Sequence, residues 1–289
     1  MSTSYLPNSV MLITGAASGI GRELALQGAK RGAAVIGVDI NFSELEETQA
    51  LVRKEGNEIE IHQLDVADKA AVFAFADKII PTLAGRRLVL VNNAGVGLFS
   101  GSFEHTELED FEWLLNVNLW GTIYPCKAFY PYFIRQNEGH IVNLSSVFGL
   151  AGAANQSAYC TSKFAVRGFT ETLRMELAGT NIRTTVVHPG GIKTNIVRAS
   201  LPKGPIATEA MHCKSVRQFE RAAPTTAEKA ARLILEAIEK KKQRLVIGPD
   251  GKALDFISRL LPVRYTKILK GQIAKTFTDP YQERKRGKR

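Results

Sequence analysis

A chain of 289 residues with 45% hydrophobic and 23% charged residues has an ordinary globular composition, which argues against a chain that is disordered throughout. Its formal net charge is +10, but residues 252–289 hold eleven basic and three acidic residues and therefore carry +8 of that charge. The remaining body is nearly neutral, which argues against a nucleic-acid-binding protein with a basic face.

The N-terminus and the cysteines bear on where the protein works. The N-terminus has no basic segment followed by an apolar core, and no apolar run approaches about 20 residues, so we expect neither a secretory signal nor a membrane-spanning helix. Three scattered cysteines are too few for a disulfide framework or a zinc site. We therefore expect a cytoplasmic protein without a metal site.

Seven short apolar runs, most of them β-branched, predict strands that are buried on both faces. In chain order they are Val10–Gly15, Ala34–Asp39, Ile59–Asp65, Leu88–Asn92, His140–Ser145, Arg183–His188 and Arg244–Gly248. Amphipathic stretches between them predict helices over Ile20–Arg31, Phe42–Glu55, Lys69–Leu83, Phe111–Gln136, Ala158–Ala178 and Ala227–Lys242. This alternation predicts an α/β fold with a doubly wound, seven-stranded parallel sheet in a single domain over residues 1–250.

A glycine-rich turn, Thr14-Gly15-Ala-Ala-Ser-Gly19-Ile-Gly21, follows the first strand and opens the first helix. Glycines let backbone N–H groups at a helix N-terminus approach a pyrophosphate. The spacing Gly-x3-Gly-x-Gly differs from the common dinucleotide fingerprint, and a plain strand–helix turn is the alternative interpretation. The position in the chain favours a dinucleotide site, whose predicted residues are Gly15, Ser18, Gly19, Ile20 and Gly21.

Asp39 ends the second strand, at about the distance from the glycine turn where an acid accepts hydrogen bonds from a ribose diol. A carboxylate there would repel a 2′-phosphate, and Ser18 supplies no positive charge to offset it. The sequence therefore favours NAD over NADP. The alternative role for Asp39 is a helix cap, although Asn41 and Ser43 could also serve as caps.

Four further motifs occur in order and at fitting separations: Asn92-Asn-Ala-Gly95, Asn118-Leu-Trp-Gly121, Ser145-Ser146 and Tyr159-x3-Lys163. In these motifs the chain resembles the short-chain dehydrogenase/reductase superfamily, over about Val10 to Gly248. The resemblance implies a Rossmann-like fold and an oxidoreductase that transfers hydride between a nicotinamide cofactor and a substrate carbon. It also implies a homo-oligomer.

The resemblance assigns the remaining cofactor contacts to three loops, which would meet the adenine ring, shape the adenosine side of the cleft and hold the nicotinamide carboxamide. In chain order their residues are Asp65, Val66, Asn92, Ala94, Gly95, Pro189, Gly190, Ile192 and Thr194. In the last loop the backbone and the Thr194 hydroxyl would make the contacts.

By the same resemblance the catalytic residues are Asn118, Ser146, Tyr159 and Lys163. Reduction of a ketone needs a proton on oxygen as hydride reaches carbon, and a free tyrosine has a pKa of about 10. The Lys163 ammonium would lower the pKa of Tyr159 and bond the cofactor ribose, so that Tyr159 donates or accepts the proton. Ser146 would hold the substrate oxygen, and Asn118 would hold a water beside the lysine.

Each of these residues also has a structural interpretation when it is considered alone. A tyrosine on a helix is usually a packing residue, Lys163 could be a solvated helix lysine, and Asn118 could mark a kink or a cap. His188 and Cys160, which lie close to the motifs in the sequence, are expected to be packing residues rather than catalytic groups.

A connection of about thirty residues, Asn195 to Pro224, predicts a lid over the site. Its apolar residues, with Leu98, Phe99 and Val147 near the cleft, favour an apolar secondary alcohol or ketone as the substrate. One alternative is an NADPH-dependent reductase of an aldehyde or a 3-ketoacyl thioester. Others are an inactive cofactor-sensing protein and a membrane-surface binding protein.

Residues 251–289 form a basic, amphipathic C-terminal extension in which apolar and basic residues interleave. Such a segment can lie in an anionic membrane interface, so that contact with a membrane surface is one expectation. The alternative is a C-terminal helix packed on the body with a frayed end. Pro125 and Pro131 should bend the helix that the resembled family often uses for subunit contacts.

Overall fold

The computed structural model describes residues 5–200, 202–203 and 207–267. The strands are β1 (Ser9–Thr14), β2 (Ala34–Asp39), β3 (Ile59–Gln63), β4 (Arg87–Asn92), β5 (Gly139–Leu144), β6 (Ile182–Pro189), β7 (Ile192–Lys193), β8 (Thr225–Thr226) and β9 (Arg244–Ile247). The helices are α1 (Gly19–Lys30), α2 (Phe42–Lys54), α3 (Lys69–Ile79), α4 (Leu108–Leu115), α5 (Gly121–Gln136), α6 (Ser157–Glu176), α7 (Glu209–Ala222), α8 (Ala227–Glu239) and α9 (Pro249–Leu260).

Seven of the strands form one parallel sheet in the order β3-β2-β1-β4-β5-β6-β9. In the middle of β1, Leu12 pairs with Ile36 on one side and with Leu90 on the other. The strand order reverses between β1 and β4, and ligands of doubly wound sheets bind beyond the carboxyl ends of the strands at such a point. The predicted seven-stranded parallel sheet is confirmed.

Two apolar cores cover the two faces of the sheet, as the continuously apolar strands predicted. Met11 and Ile13 of β1 face the core that contains α1 and α8, whereas Val10 and Leu12 face the core that contains α3 and α5. All six residues of β1 are buried. Pairing with β2 on one side and with β4 on the other fixes the register of β1 and therefore the position where it ends.

Two segments that the sequence predicted as single helices each consist of consecutive segments of different helix type. The predicted helix Lys69–Leu83 ends as α3 at Ile79 and continues as a 3-10 turn, Ile80–Leu83, where Pro81 lacks the N–H of an α-helical bond. The predicted helix Phe111–Gln136 is α4 and α5 joined by a π-helical turn, Asn116–Trp120. π-helical turns are rare and often lie at functional sites. The bend expected at the two prolines inside α5 stays a prediction.

The first part of the C-terminal extension packs on the body of the protein. Helix α9 lies against β9 and against a 3-10 turn, Val147–Gly149, and Asp255 on α9 forms ion pairs with Arg244 and Arg259. The helix begins at Pro249, close to the boundary predicted at residue 250. The strongly basic end beyond residue 267 lies outside the described residues. Over the part of the chain that is described, no helix is long and apolar enough to cross a membrane.

Candidate active site

The glycine turn between β1 and α1 has a backbone that only glycine suits. Gly15 and Gly19 have φ values of +68° and +52°, in the left-handed region that disfavours other residues. A Cβ atom at Gly21 would overlap the carbonyl oxygen of Gly15. Ser18 is the N-cap residue of α1 but makes no side-chain capping bond, and the first turn of α1 contains no acid. The helix therefore presents N–H groups that suit an anion such as a pyrophosphate.

Asp39 lies directly against this turn. One carboxylate oxygen accepts the N–H of Ala17 at 3.0 Å, and the other accepts the N–H of Asn41, also at 3.0 Å. Helix α2 is capped by Asn41, whose side chain accepts the N–H of Glu44, so the cap interpretation of Asp39 is wrong. Each oxygen of Asp39 retains a lone pair for a further donor such as a hydroxyl.

Arg22 reaches the same turn from helix α1. Its guanidinium donates to the carbonyl oxygen of Ala17 at 2.8 Å and to the hydroxyl of Thr48 at 3.0 Å, and it forms an ion pair with Glu47 at 3.1 Å. This cation is therefore already paired within the protein. Sequence reasoning missed Arg22, and only its position one residue after the glycine turn could have suggested it.

The loop after β4 is joined to the glycine turn by Asn93. Its side chain donates to the carbonyl oxygens of Thr14 and Gly15, both at 3.0 Å, and the Thr14 hydroxyl accepts the N–H groups of Asn93 and Ala94. The predicted residue Asn92 instead turns into the core, where its amide donates to Asn143 at 2.8 Å. The amide nitrogen of Asn92 is therefore used within the core and is not available to a cofactor. The motif Asn92-Asn-Ala-Gly95 includes Asn93, but the sequence analysis assigned the cofactor contact to the first asparagine, Asn92.

The predicted adenine-side residues Asp65 and Val66 follow β3. Asp65 is exposed, and its carboxylate accepts the N–H of Ala67 at 2.8 Å. Val66 is buried against Gly121 at the start of α5, where a Cβ atom would come within 2.6 Å of it. Ile20, in the first turn of α1, is partly buried and packs against the core.

The loop after β6 folds back over the glycine turn. The N–H of Gly190 donates to the carbonyl oxygen of Ile247 at 2.9 Å, and Pro189 is buried beside it at the end of the strand. Ile192 is buried, and the methyl group of Thr194 would lie 3.3 Å from a Cβ atom at Gly19. The contact between Thr194 and Gly19 thus brings together two predicted cofactor regions that lie far apart in the chain.

Tyr159 and Lys163 lie one turn apart on α6 and face the end of β5. The Lys163 side chain is 4% exposed, its ammonium donates to the carbonyl oxygen of Leu144 at 3.1 Å, and it lies 5.6 Å from the centre of the Tyr159 ring. Burial lowers the pKa of Lys163 to about 8. Burial also raises the pKa of Tyr159 to about 12, although a hydrogen bond with the Ser146 hydroxyl opposes that shift.

Desolvation is the largest influence on both pKa values. The lowering of the Tyr159 pKa that we expect from the Lys163 ammonium and from a positively charged nicotinamide stays a prediction, because the hydrogen bond with Ser146 is what lowers this pKa here. Desolvation favours the neutral form of each group. At neutral pH Tyr159 therefore carries its proton, as an acid that protonates a carbonyl oxygen must.

The two neighbouring serines at the end of β5 have different roles. The Ser145 hydroxyl donates to the carbonyl oxygen of Lys163 at 2.7 Å and so fixes α6 to the sheet. The Ser146 hydroxyl accepts the N–H of Phe148 at 3.2 Å, so its own proton can be donated to the Tyr159 oxygen or to a substrate oxygen. His188 is buried, its Nδ1 lies 3.1 Å from the carbonyl oxygen of Ser146, and burial lowers its pKa to about 4. A histidine held neutral in this way acts as a packing residue.

Asn118 occupies the π-helical turn and is fully buried. Its side chain accepts the N–H of Val96 at 2.7 Å and donates to the carbonyl oxygen of the same residue at 3.0 Å. Asn118 and the Lys163 ammonium both lie against Gly95, where a Cβ atom would come within 3.1 Å and 3.4 Å of them. The structure therefore brings Asn118 and Lys163 together, while the water that Asn118 was expected to hold stays a prediction.

The predicted lid, as far as it is described, contains α7 and is joined to the loop after β4. Phe99 pairs with Pro202, its carbonyl oxygen accepts the N–H of Lys203 at 3.0 Å, and its ring meets His212 edge-on at 5.5 Å. On the other side of the cleft, the ring of Phe148 packs edge-on against Tyr159 at 6.2 Å. The walls beside Tyr159 are therefore rich in aromatic and apolar side chains.

No three histidine, cysteine, aspartate or glutamate side chains come together as a metal site in the described part of the chain. A dinucleotide is the cofactor that the residues around the glycine turn suit. The glycine turn, the uncapped start of α1 and the free lone pairs of Asp39 fit the phosphates and the ribose of such a cofactor.

Comparison with known proteins gives a consistent result. The family model described as short chain dehydrogenase matches residues 9–204. SadH of Mycobacterium tuberculosis, a putative oxidoreductase by name, is 37% identical over 278 residues, which cover 95% of this chain and 98% of SadH. The 3-oxoacyl-acyl-carrier-protein reductase FabG of Thermotoga maritima is 40% identical over 189 residues, which cover 65% of this chain and 76% of FabG.

Solved structures of similar fold contain either nicotinamide cofactor. A short chain dehydrogenase/reductase from Burkholderia phymatum, in complex with NAD, has a TM-score of 0.80 and 28% identity, with 92% of this chain and 96% of that one covered. A serine dehydrogenase complexed with NADP⁺ has a TM-score of 0.74 and 25% identity, with 83% and 94% covered. The comparisons leave the choice between the two cofactors to the residues of this site.

Proposed function

The chain belongs to the short chain dehydrogenase family and is an oxidoreductase with a nucleotide-binding Rossmann fold, and we propose that it interconverts an apolar secondary alcohol and its ketone with NAD(H). The observation that carries the proposal is the meeting of Ser146, Tyr159 and Lys163 beside the cleft that the glycine turn opens. The nicotinamide, when bound, supplies or accepts the hydride, and the side chains handle the proton.

In this proposal Tyr159 is the general acid of ketone reduction and the general base of alcohol oxidation. Burial favours the protonated phenol that ketone reduction needs. Alcohol oxidation needs the phenolate, which the Lys163 ammonium and the positive charge of a bound oxidised nicotinamide would favour. The Ser146 hydroxyl holds the substrate oxygen beside the phenol, and the Lys163 ammonium stabilises the phenolate that remains after proton transfer. Asn118 fixes the loop at Val96 on the other side of Lys163.

The residues around the ribose position favour NAD. The carboxylate of Asp39 would accept hydroxyl donors and repel a 2′-phosphate, while Arg22 is already paired with Glu47 and is not free to bind that phosphate. A hydrogen bond to a charged group contributes about 1.5–3 kcal/mol, which corresponds to at least about tenfold in affinity. We therefore expect wild-type protein to bind NADH at least about tenfold more tightly than NADPH.

Titration of each reduced cofactor by fluorescence tests this choice. Asp39→Asn should reduce the discrimination against NADPH about tenfold, because it removes the charge that opposes the phosphate. Asp68→Asn is the matched control, since Asp68 is exposed and caps α3 through the N–H of Ala71, a bond that asparagine can keep. Tighter binding of NADPH than NADH by wild-type protein would show that the assignment of Asp39 is wrong.

The apolar walls of the cleft support an apolar substrate. Leu98, Val147 and Leu150 are buried side chains of the loops that flank Ser146 and Tyr159, and Phe99 and Phe148 lie beside them. A screen of secondary alcohols and ketones of graded chain length, followed by the absorbance of the reduced cofactor, tests the reaction. Activity that increases with the apolar length of the substrate is the expected outcome, and turnover of only short polar substrates would contradict it.

A second candidate is an NADPH-dependent reductase of an aldehyde or a 3-ketoacyl thioester, which the similarity to FabG supports. The same screen decides between the two when it includes a 3-ketoacyl thioester and both cofactors. A protein that only senses the cofactor is less well supported, because sensing requires neither the phenol of the partly buried Tyr159 nor the ammonium of the buried Lys163.

The exposed apolar side chains of α9 and of the residues just after it support a further proposal about partners. Phe256 is 65% exposed, Leu260 is 62% exposed and Val263 is 79% exposed, with Arg259 and Arg264 among them. Apolar and basic side chains together suit an anionic membrane interface. The double variant Phe256→Ser and Leu260→Ser should reduce co-sedimentation with anionic vesicles. Unchanged co-sedimentation would count against this membrane contact.

We also propose a homo-oligomer. Trp113 and Trp120, on α4 and on the π-helical turn, are each 42% exposed, and large aromatic side chains are enriched at protein–protein interfaces. Light scattering coupled to size exclusion measures the oligomeric state, and a monomer at micromolar concentration would contradict the proposal.

A further inference from the structure

The start of α9 touches the loop that the proposed function assigns to the nicotinamide. Asp250, in the first turn of α9, accepts the N–H of Gly191 at 2.6 Å through one carboxylate oxygen. The same carboxylate lies so close to Gly190 that a Cβ atom there would come within 2.5 Å of it. A carboxylate that accepts a backbone N–H makes a strong, charge-assisted hydrogen bond.

This contact extends to the cofactor cleft through only a few residues. Directly after Gly191 the chain forms β7, in which Ile192 is buried, and Thr194 then packs over Gly19 of the glycine turn. The N–H of Gly190 is held separately by the carbonyl oxygen of Ile247. The loop is therefore fixed at two successive amides, and the second of these depends on a single side chain.

The same C-terminal segment also holds the opposite wall of the cleft. Gly251 packs against Val147, where a Cβ atom would come within 2.9 Å of the valine side chain. The hydroxyl of Tyr265 accepts the N–H of Gly152 at 2.9 Å, in the loop between Ser146 and Tyr159. One segment of the chain thus contacts a loop on the cofactor side and a loop on the substrate side.

We propose that the segment from Asp250 to Tyr265 aligns the two loops of the active site, with Asp250 as the positioning residue for the nicotinamide loop and Tyr265 as the positioning residue for the substrate loop. The sequence predicted residues 251–289 to be an extension separate from the catalytic domain. The contacts of Gly251 with Val147 and of Tyr265 with Gly152 make the beginning of that extension part of the site. The inference rests on the proposed function, because it takes the loop after β6 to hold the nicotinamide.

The test compares variants of the full-length protein by NADH fluorescence titration and by steady-state kinetics. Asp250→Ala should weaken NADH binding about tenfold, the effect of losing one hydrogen bond to a charged group, and leave the KM of the carbonyl substrate within about twofold. Asp250→Asn should restore most of the affinity, because the amide oxygen can accept the same N–H. Tyr265→Phe should show the reverse pattern, with a substrate KM raised about threefold and NADH binding unchanged.

Asp255→Asn is the matched control for a merely structural effect. Asp255 also lies on α9 and pairs with Arg244 and Arg259, but among the described residues its carboxylate bonds to neither loop. This variant should lower the melting temperature and change NADH binding by less than about twofold. Equal loss of NADH affinity in Asp255→Asn and Asp250→Ala would overturn the inference, as would equal loss in the Asn and Ala variants of Asp250.

The outcomes also separate this inference from the proposed function. If wild-type protein binds neither NADH nor NADPH, the proposed function fails. If wild-type protein binds NADH and Asp250→Ala binds it equally well, the proposed function stands and the positioning role of Asp250 fails.

Discussion

The cofactor side and the substrate side of the cleft are built by different physical means. On the cofactor side, a tight glycine turn is held by backbone and short polar contacts: Asp39 bonds Ala17, and Asn93 bonds Thr14 and Gly15. On the substrate side, loops after β4 and β5, the lid and α9 meet mainly through apolar packing and a few single hydrogen bonds. The backbone of the glycine turn can adopt only one conformation that fits its contacts. The loops on the substrate side can tolerate substitutions and keep their backbone conformation. We expect cofactor binding to be sensitive to added volume and substrate binding to be sensitive to lost contacts.

The largest effect should come from a residue that serves only the proton transfer. Tyr159→Phe removes the phenolic proton and keeps the ring that packs against Phe148. We expect kcat/KM to fall by about 10²- to 10⁴-fold, the usual contribution of general acid–base catalysis. NADH binding should remain within about twofold of the wild-type value, because the glycine turn is untouched.

Stopped-flow or steady-state turnover with an identified substrate, combined with NADH titration, measures both quantities. Turnover of Tyr159→Phe at the wild-type rate would show that another group transfers the proton. If Tyr159→Phe also loses NADH binding, Tyr159 contributes to cofactor binding as well as to proton transfer.

The second prediction adds one methyl group to the cofactor side. Gly21→Ala places a Cβ atom on the carbonyl oxygen of Gly15, and the neighbouring side chain of Asn93 is 2.6 Å away from it. The turn must move, so we expect NADH affinity to fall by about 100-fold, equivalent to about 3 kcal/mol of overpacking. Isothermal titration with NADH gives the affinity directly.

Gly168→Ala is the matched control, because Gly168 lies in α6 and a Cβ atom there would meet nothing within 4 Å beyond the backbone of its own helix. An alanine at this position should stabilise the helix by about 0.5–1 kcal/mol, which a rise in melting temperature would report, and leave NADH binding unchanged. If Gly21→Ala binds NADH as tightly as wild-type protein does, the glycine turn can adopt a second backbone conformation and the prediction is wrong.

The sequence signals for the cofactor side are local. The strand β1, the glycines and Asp39 follow one another closely in the chain, and the seven parallel strands followed from continuous apolar runs. The π-helical turn at Asn118 was not predictable, since the same apolar period fits an uninterrupted α-helix. The roles of Asp250 and Tyr265 depend on contacts with loops 59 and 113 residues away in the sequence, and no local pattern encodes them.

The third prediction concerns how the buried Lys163 ammonium, which lies between the cofactor side and the substrate side, lowers the free energy of unfolding. Its pKa is about 8 in the folded protein and about 10.4 in an unfolded chain, so the folded state binds fewer protons between these pH values. The contribution of Lys163 to the free energy of unfolding therefore rises with pH from about 8 to 10, because the buried side chain loses its charge and the desolvation penalty disappears. Above pH 10 the raised pKa of Tyr159 acts in the opposite direction, because the unfolded phenol loses its proton first.

Denaturant unfolding of wild-type protein and of Lys163→Met at about pH 7, 8, 9 and 10 tests this. The difference in unfolding free energy between the two proteins should shift in favour of the wild type by about 2 kcal/mol, an order-of-magnitude value, across that range. A difference that stays constant with pH would show that Lys163 keeps an ordinary pKa in the folded protein.

The smallest effect should come from the lid, where contacts are redundant. Phe99 meets the ring of His212, pairs with Pro202 and accepts the N–H of Lys203 through its backbone, so Phe99→Ala removes the ring contact and keeps the backbone bond. Loss of one aromatic pair should raise the substrate KM by about three- to tenfold and leave the KM of NADH unchanged. His212→Phe is the informative partner variant, because it keeps an aromatic ring against Phe99 and loses the bond between Nε2 and the carbonyl oxygen of Val197 at 2.9 Å. If the KM of NADH rises in Phe99→Ala as much as the substrate KM does, the lid belongs to both sides of the cleft, and the division between a backbone-built cofactor side and a packing-built substrate side is wrong.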